Sequence, residues 1–259
     1  MLIRPRRMLG FALVACALLC ALLANIIAPY DPLRSSIDLL SPSTASHLFG
    51  TDELGRDALS RVIFGARTSL LIGFGAALVA MVIGAPVGLV AGYAGGRLDV
   101  VAVMIIDLFV SLPGLVLALV ITAMVGPSLL NLTLVLGLVM WPGVARLIRG
   151  QVLAIRENSF VEAARAAGGT PAWIIGQHIW PNTMRVTAAQ FSVSVSLAIF
   201  TSSSLSFLGL GIPPPVPDWG GMVRSGYDFL AVNPLLSLGP GAAVAITVLG
   251  FYLIGSSVE

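Results

Sequence analysis

At 259 residues the chain has room for one large domain, and 57% of it is hydrophobic while only 10% is charged. Together with a mean hydropathy of +0.98, that balance leaves too little charge to clothe a soluble domain, so the chain reads as an integral membrane protein. The net charge of +2 is too small for a nucleic-acid partner, and all 14 basic residues are Arg; without Lys the chain holds neither a Walker A phosphate loop nor a Schiff base, so any ATP that drives it is hydrolysed elsewhere.

Arg4, Arg6 and Arg7 precede an apolar run over residues 8–28. The start looks like a signal peptide, but a run of about 20 residues suits a full span, and Pro29-Tyr30-Asp31-Pro32 offers no small-residue cleavage site. An uncleaved first helix with a cytoplasmic N-terminus is predicted. The Leu13-Val14-Ala15-Cys16 run is like a lipoprotein cleavage box, yet cleavage there would leave half a span behind. Cys16 and Cys20 lie one helical turn apart with no His or acid nearby, so neither a disulfide nor a metal site is expected.

Residues 31–67 form a polar connection containing Gly50-Thr51-Asp52-Glu53-Leu54-Gly55-Arg56-Asp57. Thr51 or Asp52 would cap a short amphipathic helix at the membrane surface, with Leu54, Leu59, Val62 and Ile63 on one side. Its acids either sit solvated, the preferred reading, or receive a cationic substrate. The second span covers residues 69–92, where Gly84, Gly88 and Gly92 recur every four residues. Such a stripe lets helices approach closely in lipid. The third span, 100–125, holds Asp107, the one acid well inside an apolar helix, and Pro113, which would kink it. Asp107 either serves the transport pathway or its gate, or bonds a neighbouring helix.

The fourth span, 129–147, contains Trp141-Pro142-Gly143, and Arg146, Arg149 and Arg156 mark its exit. A polar island follows over residues 158–181. Ser159 and Glu162 read as a capping box, Gly168-Gly169 as a left-handed stop, and Thr170-Pro171 as an N-cap with Pro at the first helical position. The prediction is two short helices about a glycine turn, the second running toward Pro181: a rigid knuckle outside the bilayer. The fifth span, 186–210, is dense in Ser, and Ser192, Ser196 and Ser203 are candidates for a pathway beside it. Residues 209–238 begin with Gly209-Leu210-Gly211-Ile212-Pro213-Pro214-Pro215, read as a stiff extended connection. A sixth span covers 239–255.

Three of these stretches carry a family resemblance: Gly50 to Asp57; Glu162-Ala163-Ala164 with Gly168, His178 and Pro181; and Ser206-Phe207-Leu208-Gly209-Leu210-Gly211 with the prolines after it. They resemble the permease subunits of ATP-binding-cassette importers in the dipeptide, oligopeptide and nickel branch, and within it the second permease of dipeptide or oligopeptide importers. The Asp107 to Pro113 run is similar to the matching helix of peptide permeases. The resemblance implies an all-α integral membrane protein of six transmembrane helices in the type I permease fold. Residues 1–65 would hold the first helix and its external connection, and residues 66–259 the core permease domain. Between helices four and five it implies a coupling helix that seats in a cytoplasmic ATPase through Glu162, Ala163, Ala164, Gly168, His178 and Pro181. The implied partners are a homologous permease, two ATPase chains that hold the ATP and Mg, and an external solute-binding protein; no cofactor sits on this chain. Relatives continue past the sixth helix with a Gly-Asp and Arg-containing tail that Ser256 to Glu259 does not match, so the tail is divergent or truncated.

By this topology nine Arg (4, 6, 7, 97, 146, 149, 156, 165, 185) face the cytoplasm and five (34, 56, 61, 67, 224) lie outside. That bias is the positive-inside orientation. A nickel-chelate importer is the alternative within the family. Rivals from other classes fit less well. A proton-coupled transporter using Asp107 needs no knuckle, and no inverted repeat shows. An intramembrane hydrolase lacks a His within any span, since His47 and His178 fall in polar connections.

Overall fold

Helix α3 (Ala58–Ala94) organises the computed structural model, which describes residues 5–256. Arg4 and the tail residues 257–259 lie outside the described residues. At ~1.5 Å per residue the helix rises about 55 Å, well past the ~30 Å of bilayer hydrocarbon. The separate surface helix is therefore not formed: Leu59, Val62 and Ile63 belong to the first turns of α3, and Leu54 precedes it. Its cap is Asp57, not Thr51 or Asp52. The Asp57 carboxylate accepts from the Ser60 N–H at 2.8 Å and from its hydroxyl at 2.6 Å.

Along α3 the glycine stripe meets α6 (Leu129–Ile155). A Cβ at Gly84 would stand 2.6 Å from the Trp141 carbonyl oxygen, and one at Gly88 2.6 Å from that of Ala145. Gly92 faces Val152 at 2.8 Å in the same way. Only a bare Cα admits that approach, so the stripe is packing. Around it, Ala80, Ile106, Val144, Ile148 and Val152 close one apolar cluster. A second cluster joins α1 (Pro5–Leu22) and α11 (Leu235–Ser256) to α3 and to α9 (Trp180–Phe207) through Val14, Leu70, Val195, Ile199 and Phe251. The one-turn α2 (Ala24–Ile27) extends α1.

Helix α4 (Gly96–Val110) and α5 (Gly114–Val125) form one broken span, bent by 80°. The kink expected at Pro113 is thus a full break. Proline has no N–H to continue the ladder and disfavours helical geometry at the residue before it. Counting this pair as one, six segments are long and apolar enough to cross a membrane, and no strand occurs among the described residues. Only Ile106 of α4, and Ala118 and Thr122 of α5, are buried, so the broken span leaves a wide face uncovered.

At the end of the bundle where α3 begins, residues 28–57 fold back over it, forming a cap. Arg61 Nη1 donates to the Pro32 carbonyl at 3.0 Å, and Asn233 Nδ2 to that of Phe49 at 2.9 Å. The connection after α9 is not extended throughout. Once past the prolines it forms α10 (Trp219–Tyr227), started by Asp218, whose carboxylate accepts from the Gly221 N–H at 3.0 Å. Trp219 pins this helix by donating Nε1–H to the Val62 carbonyl at 2.8 Å.

Candidate functional site

The knuckle stands at the opposite end of the bundle. Helix α6 stops at Ile155, and Arg156 ties that end to α3 by donating Nη1 to the Gly92 carbonyl at 2.9 Å. Helix α7 (Ser159–Ala166) then begins, but without the expected capping box. The N-cap is Asn158, whose carbonyl accepts from Val161 at 2.9 Å and Glu162 at 3.2 Å while its side chain makes no cap bond. Ser159 is already helical, and Glu162 sits one position too late to reach back, so neither serves the cap.

The stop is as expected. Gly169 donates to the Ala164 carbonyl and Gly168 to that of Arg165, both at 3.0 Å, with Gly168 at φ +84°. This is a Schellman arrangement that needs a left-handed residue at Gly168. Thr170 Oγ1 accepts from the Trp173 N–H at 3.3 Å and Pro171 takes the first position of α8 (Pro171–Ile174). Both capping roles hold there.

The second arm is not a separate short helix. A π turn (Ile175–Ile179) joins α8 to α9, making a continuous helix over Pro171–Phe207. Trp180 donates to the Ile175 carbonyl, five residues back. The widened turn accommodates Pro181, which has no N–H to give and whose ring would crowd the carbonyl four residues earlier.

On α7 the two faces differ. Val161 and Ala164 are buried against Ile148, Val152, Ile174 and Ile179, while Glu162 and Ala163 point outward. Ala164 thus seats the knuckle on its own bundle, and the outer face belongs to Glu162 and Ala163. His178 stacks between Trp173, 4.9 Å away edge-to-face, and Phe160 at 6.2 Å. Its Nε2 is buried without a partner among the described residues.

Asp107 on α4 bonds Arg146 of α6, and both side chains are about half exposed, on the uncovered face. About two turns nearer the knuckle along α4, Asp99 receives Arg149 Nη2 at 2.6 Å. The serines are placed differently from one another. Ser192 donates to the Phe251 carbonyl of α11 at 2.7 Å, and Ser196 to the Val193 carbonyl of its own helix at 3.0 Å. Ser203 is buried with its hydroxyl unpartnered among the described residues.

Charges expected at the surface are held inside the cap. Asp52 and Asp57 are buried, not solvated. Asp52 Oδ2 receives Arg56 Nε at 2.7 Å and faces Arg61 Nε at 3.5 Å, and Asp57 Oδ1 meets His47 Nδ1 at 2.8 Å. The spacing of Asp52 and Arg56, one helical turn, was the only local signal of this network.

Residues 84–258, from the middle of α3 through the knuckle to the last helix, match the model of the binding-protein-dependent transport system inner membrane component family. The chain is 36% identical to the dipeptide transport system permease protein DppC of Alkalihalophilus pseudofirmus, over 96% of this chain and 83% of that one. It is also 36% identical to the probable D,D-dipeptide transport system permease protein DdpC of Escherichia coli, over 98% and 86%. Against the oligopeptide transport system permease protein OppC of Bacillus subtilis it is 33% identical, over 97% and 83%. Among solved structures, one of the MetNI methionine ABC transporter in inward-facing conformations superposes with a TM-score of 0.65, at 20% identity, over 76% of this chain and 93% of that one. With its spans, its broken helix and its knuckle in place, the chain belongs to the family of inner-membrane components of binding-protein-dependent transport systems.

Proposed function

We propose that this chain is the permease subunit of an ATP-driven importer that carries short peptides inward. It would work beside a homologous permease, two cytoplasmic ATPase subunits that supply the ATP chemistry, and an external solute-binding protein. The carrying observation is the knuckle. A short helix with Glu162 and Ala163 facing out is seated by Val161 and Ala164 on the ends of α3, α6 and α9. A partner that shifts this helix shifts the bundle with it. Peptide as cargo rests on the relatives, whose names give dipeptides and oligopeptides.

Orientation follows from charge. Arg97, Arg149, Arg156, Arg165 and Arg185 gather toward the knuckle end, and Arg34, Arg56, Arg61, Arg67 and Arg224 at the cap end. By the positive-inside rule this bias supports a cytoplasmic knuckle. The uncovered face of α4, α5 and α6 carries the Asp107–Arg146 pair, which is costly against hydrocarbon. A second permease, with a wet pathway between the two, covers that face in this reading. Asp107 is already matched by Arg146, so nothing supports it as a proton site.

Co-purification tests the assembly: ATPase chains should accompany the permease and be lost on disruption of Glu162 and Ala163. Single-cysteine labelling tests orientation. A cysteine at Ser46 reached by an impermeant reagent only from the cytoplasm would overturn it.

A further inference from the structure

At the cap end a cavity of about 520 Å³ opens between Pro127, the last turn of α9, the proline connection, α10 and the start of α3. That volume lies in the usual range for small-ligand sites. Its wall carries Arg56, Arg61 and Arg224 together with Glu53, Asp218 and Asp228.

These charges are not equally free. Arg56 and Arg61 are buried and committed to Asp52. Asp218 is committed to starting α10; burial pushes its carboxyl up, against the Ser206 hydroxyl and the N–H groups of Gly221 and Gly220. Arg224 differs. It is exposed and makes no ion pair or hydrogen bond among the described residues. Asp228, the C-cap of α10, lies four residues on, about one turn beyond Arg224, yet no salt bridge joins them.

The Arg224 guanidinium rests on bare backbone. A Cβ at Gly209 would stand 1.9 Å from its Nη1, and Gly209 has φ +90°. A side chain at that position would evict the guanidinium, so the glycine keeps a cation over the cavity with its donors unspent. Glu53 is loosely held, 3.8 Å from Arg56 Nη2, and leaves a carboxylate nearby. One free fork of donors, the free carboxylate of Asp228 and the loosely paired one of Glu53 share one cavity. That is the complement of a zwitterion.

We propose that this cavity is an outer holding site for a short peptide, with its terminal carboxylate on Arg224 and its α-ammonium between Glu53 and Asp228. The inference rests on the peptide-importer reading and adds a substrate contact on the permease itself. The peptide enters it after release from the binding protein and before it moves along the pathway.

The test uses the whole reconstituted complex without binding protein, and equilibrium dialysis of labelled alanyl-alanine and of its C-terminal amide. Arg224→Gln should weaken the acid about tenfold, ~1.4 kcal/mol, and leave the already weaker amide nearly unchanged. Arg224→Lys should recover part of the loss, since it restores the charge but not the planar fork. Subunit content of each variant is checked beside the binding. Equal binding of acid and amide to the wild type, binding of neither, or an equal effect of Arg224→Gln on both overturns the holding site. Uptake by the wild-type complex with its binding protein separates the two claims. Peptide uptake without Arg224 dependence removes the holding site alone, and absence of any peptide uptake removes the importer reading.

Discussion

Gly168 is where the knuckle can be perturbed without touching the spans. Its φ of +84° is left-handed, and a Cβ built there meets nothing within 4 Å. The cost of a side chain is therefore wholly in the backbone, about 1–2 kcal/mol for an ordinary residue and more for a β-branched one. Helix α7 has eight residues, two of them buried, too few to hold a helix without its cap and packing. A loss of that size shifts the capped state by roughly five- to thirtyfold. Gly168→Val should consequently re-aim Glu162 and Ala163, and peptide-stimulated ATP hydrolysis and uptake should fall at least fivefold in proteoliposomes. Gly168→Ala should fall between Val and wild type. Gly168→Asn should keep most activity, because Asn tolerates the left-handed region. Subunit content should be normal throughout, since the turn lies outside the spans. Normal transport by the Val variant refutes the assignment of this segment as the ATPase contact, and so does a failure confined to membrane assembly. An Asn variant as poor as Val refutes the backbone argument.

If the proposed pathway runs along this face, Asp107→Asn should leave the complex assembled but reduce uptake severalfold, because Arg146 loses its carboxylate; near-normal uptake would show that the pair only braces α4 on α6. Asp52→Ala should lower thermal stability in detergent by about 3 kcal/mol, since it strands the buried Arg56 and Arg61 without their carboxylate. An unchanged melting profile would show that the cap does not depend on this network. Gly88→Val should cost at least ~1–3 kcal/mol by forcing α3 from α6, where a Cβ already meets the Ala145 oxygen at 2.6 Å; a melting temperature within a degree of wild type would contradict the packing given to the stripe.

What could be read in advance was what the chain encodes locally. Glycines every fourth residue mark a close helix contact wherever the partner lies, and Gly168, Thr170 and Pro171 each dictate a backbone state by their own chemistry. The errors arose where two local signals competed or where distant residues decided. Ser159 with Glu162 satisfies the capping pattern, but Asn158 lies one residue earlier and its carbonyl took the start of α7. Helix α10 was hidden by its glycines and by the prolines before it, and only the Asp218 cap betrays it. Asp52, Arg56 and Arg61 looked like surface charge because their burial depends on residues 28–57 folding over α3, a contact no local pattern records. Asp107 is expected well inside a span but lies in the last turn of α4, where the helix breaks, and its partner on α6 is 39 residues away.

The two helices that frame the knuckle both end beside the cavity at the far side of the protein. Helix α6 starts just after Pro127, and α9 ends near Ser206, both of which line it. The helix from Pro171 to Phe207 is continuous over 37 residues, about 55 Å at ~1.5 Å per residue, so a displacement at the knuckle reaches the cavity through one stiff rod. That stiffness is testable at Leu197, which is 51% exposed and contributes little packing within the chain. Leu197→Pro removes the N–H that would reach the Val193 carbonyl and puts a ring against it, a loss of roughly 3 kcal/mol in a helix interior. The Ser196 hydroxyl already donates to that carbonyl at 3.0 Å, so the freed oxygen keeps a partner and the span should still insert. Leu197→Ala, which keeps the helix straight, should transport normally. The Pro variant should assemble and hydrolyse ATP at its basal rate, yet lose most of the stimulation by loaded binding protein. If it retains full stimulation, α9 does not carry the signal, and the route from knuckle to cavity runs through α6 or α3.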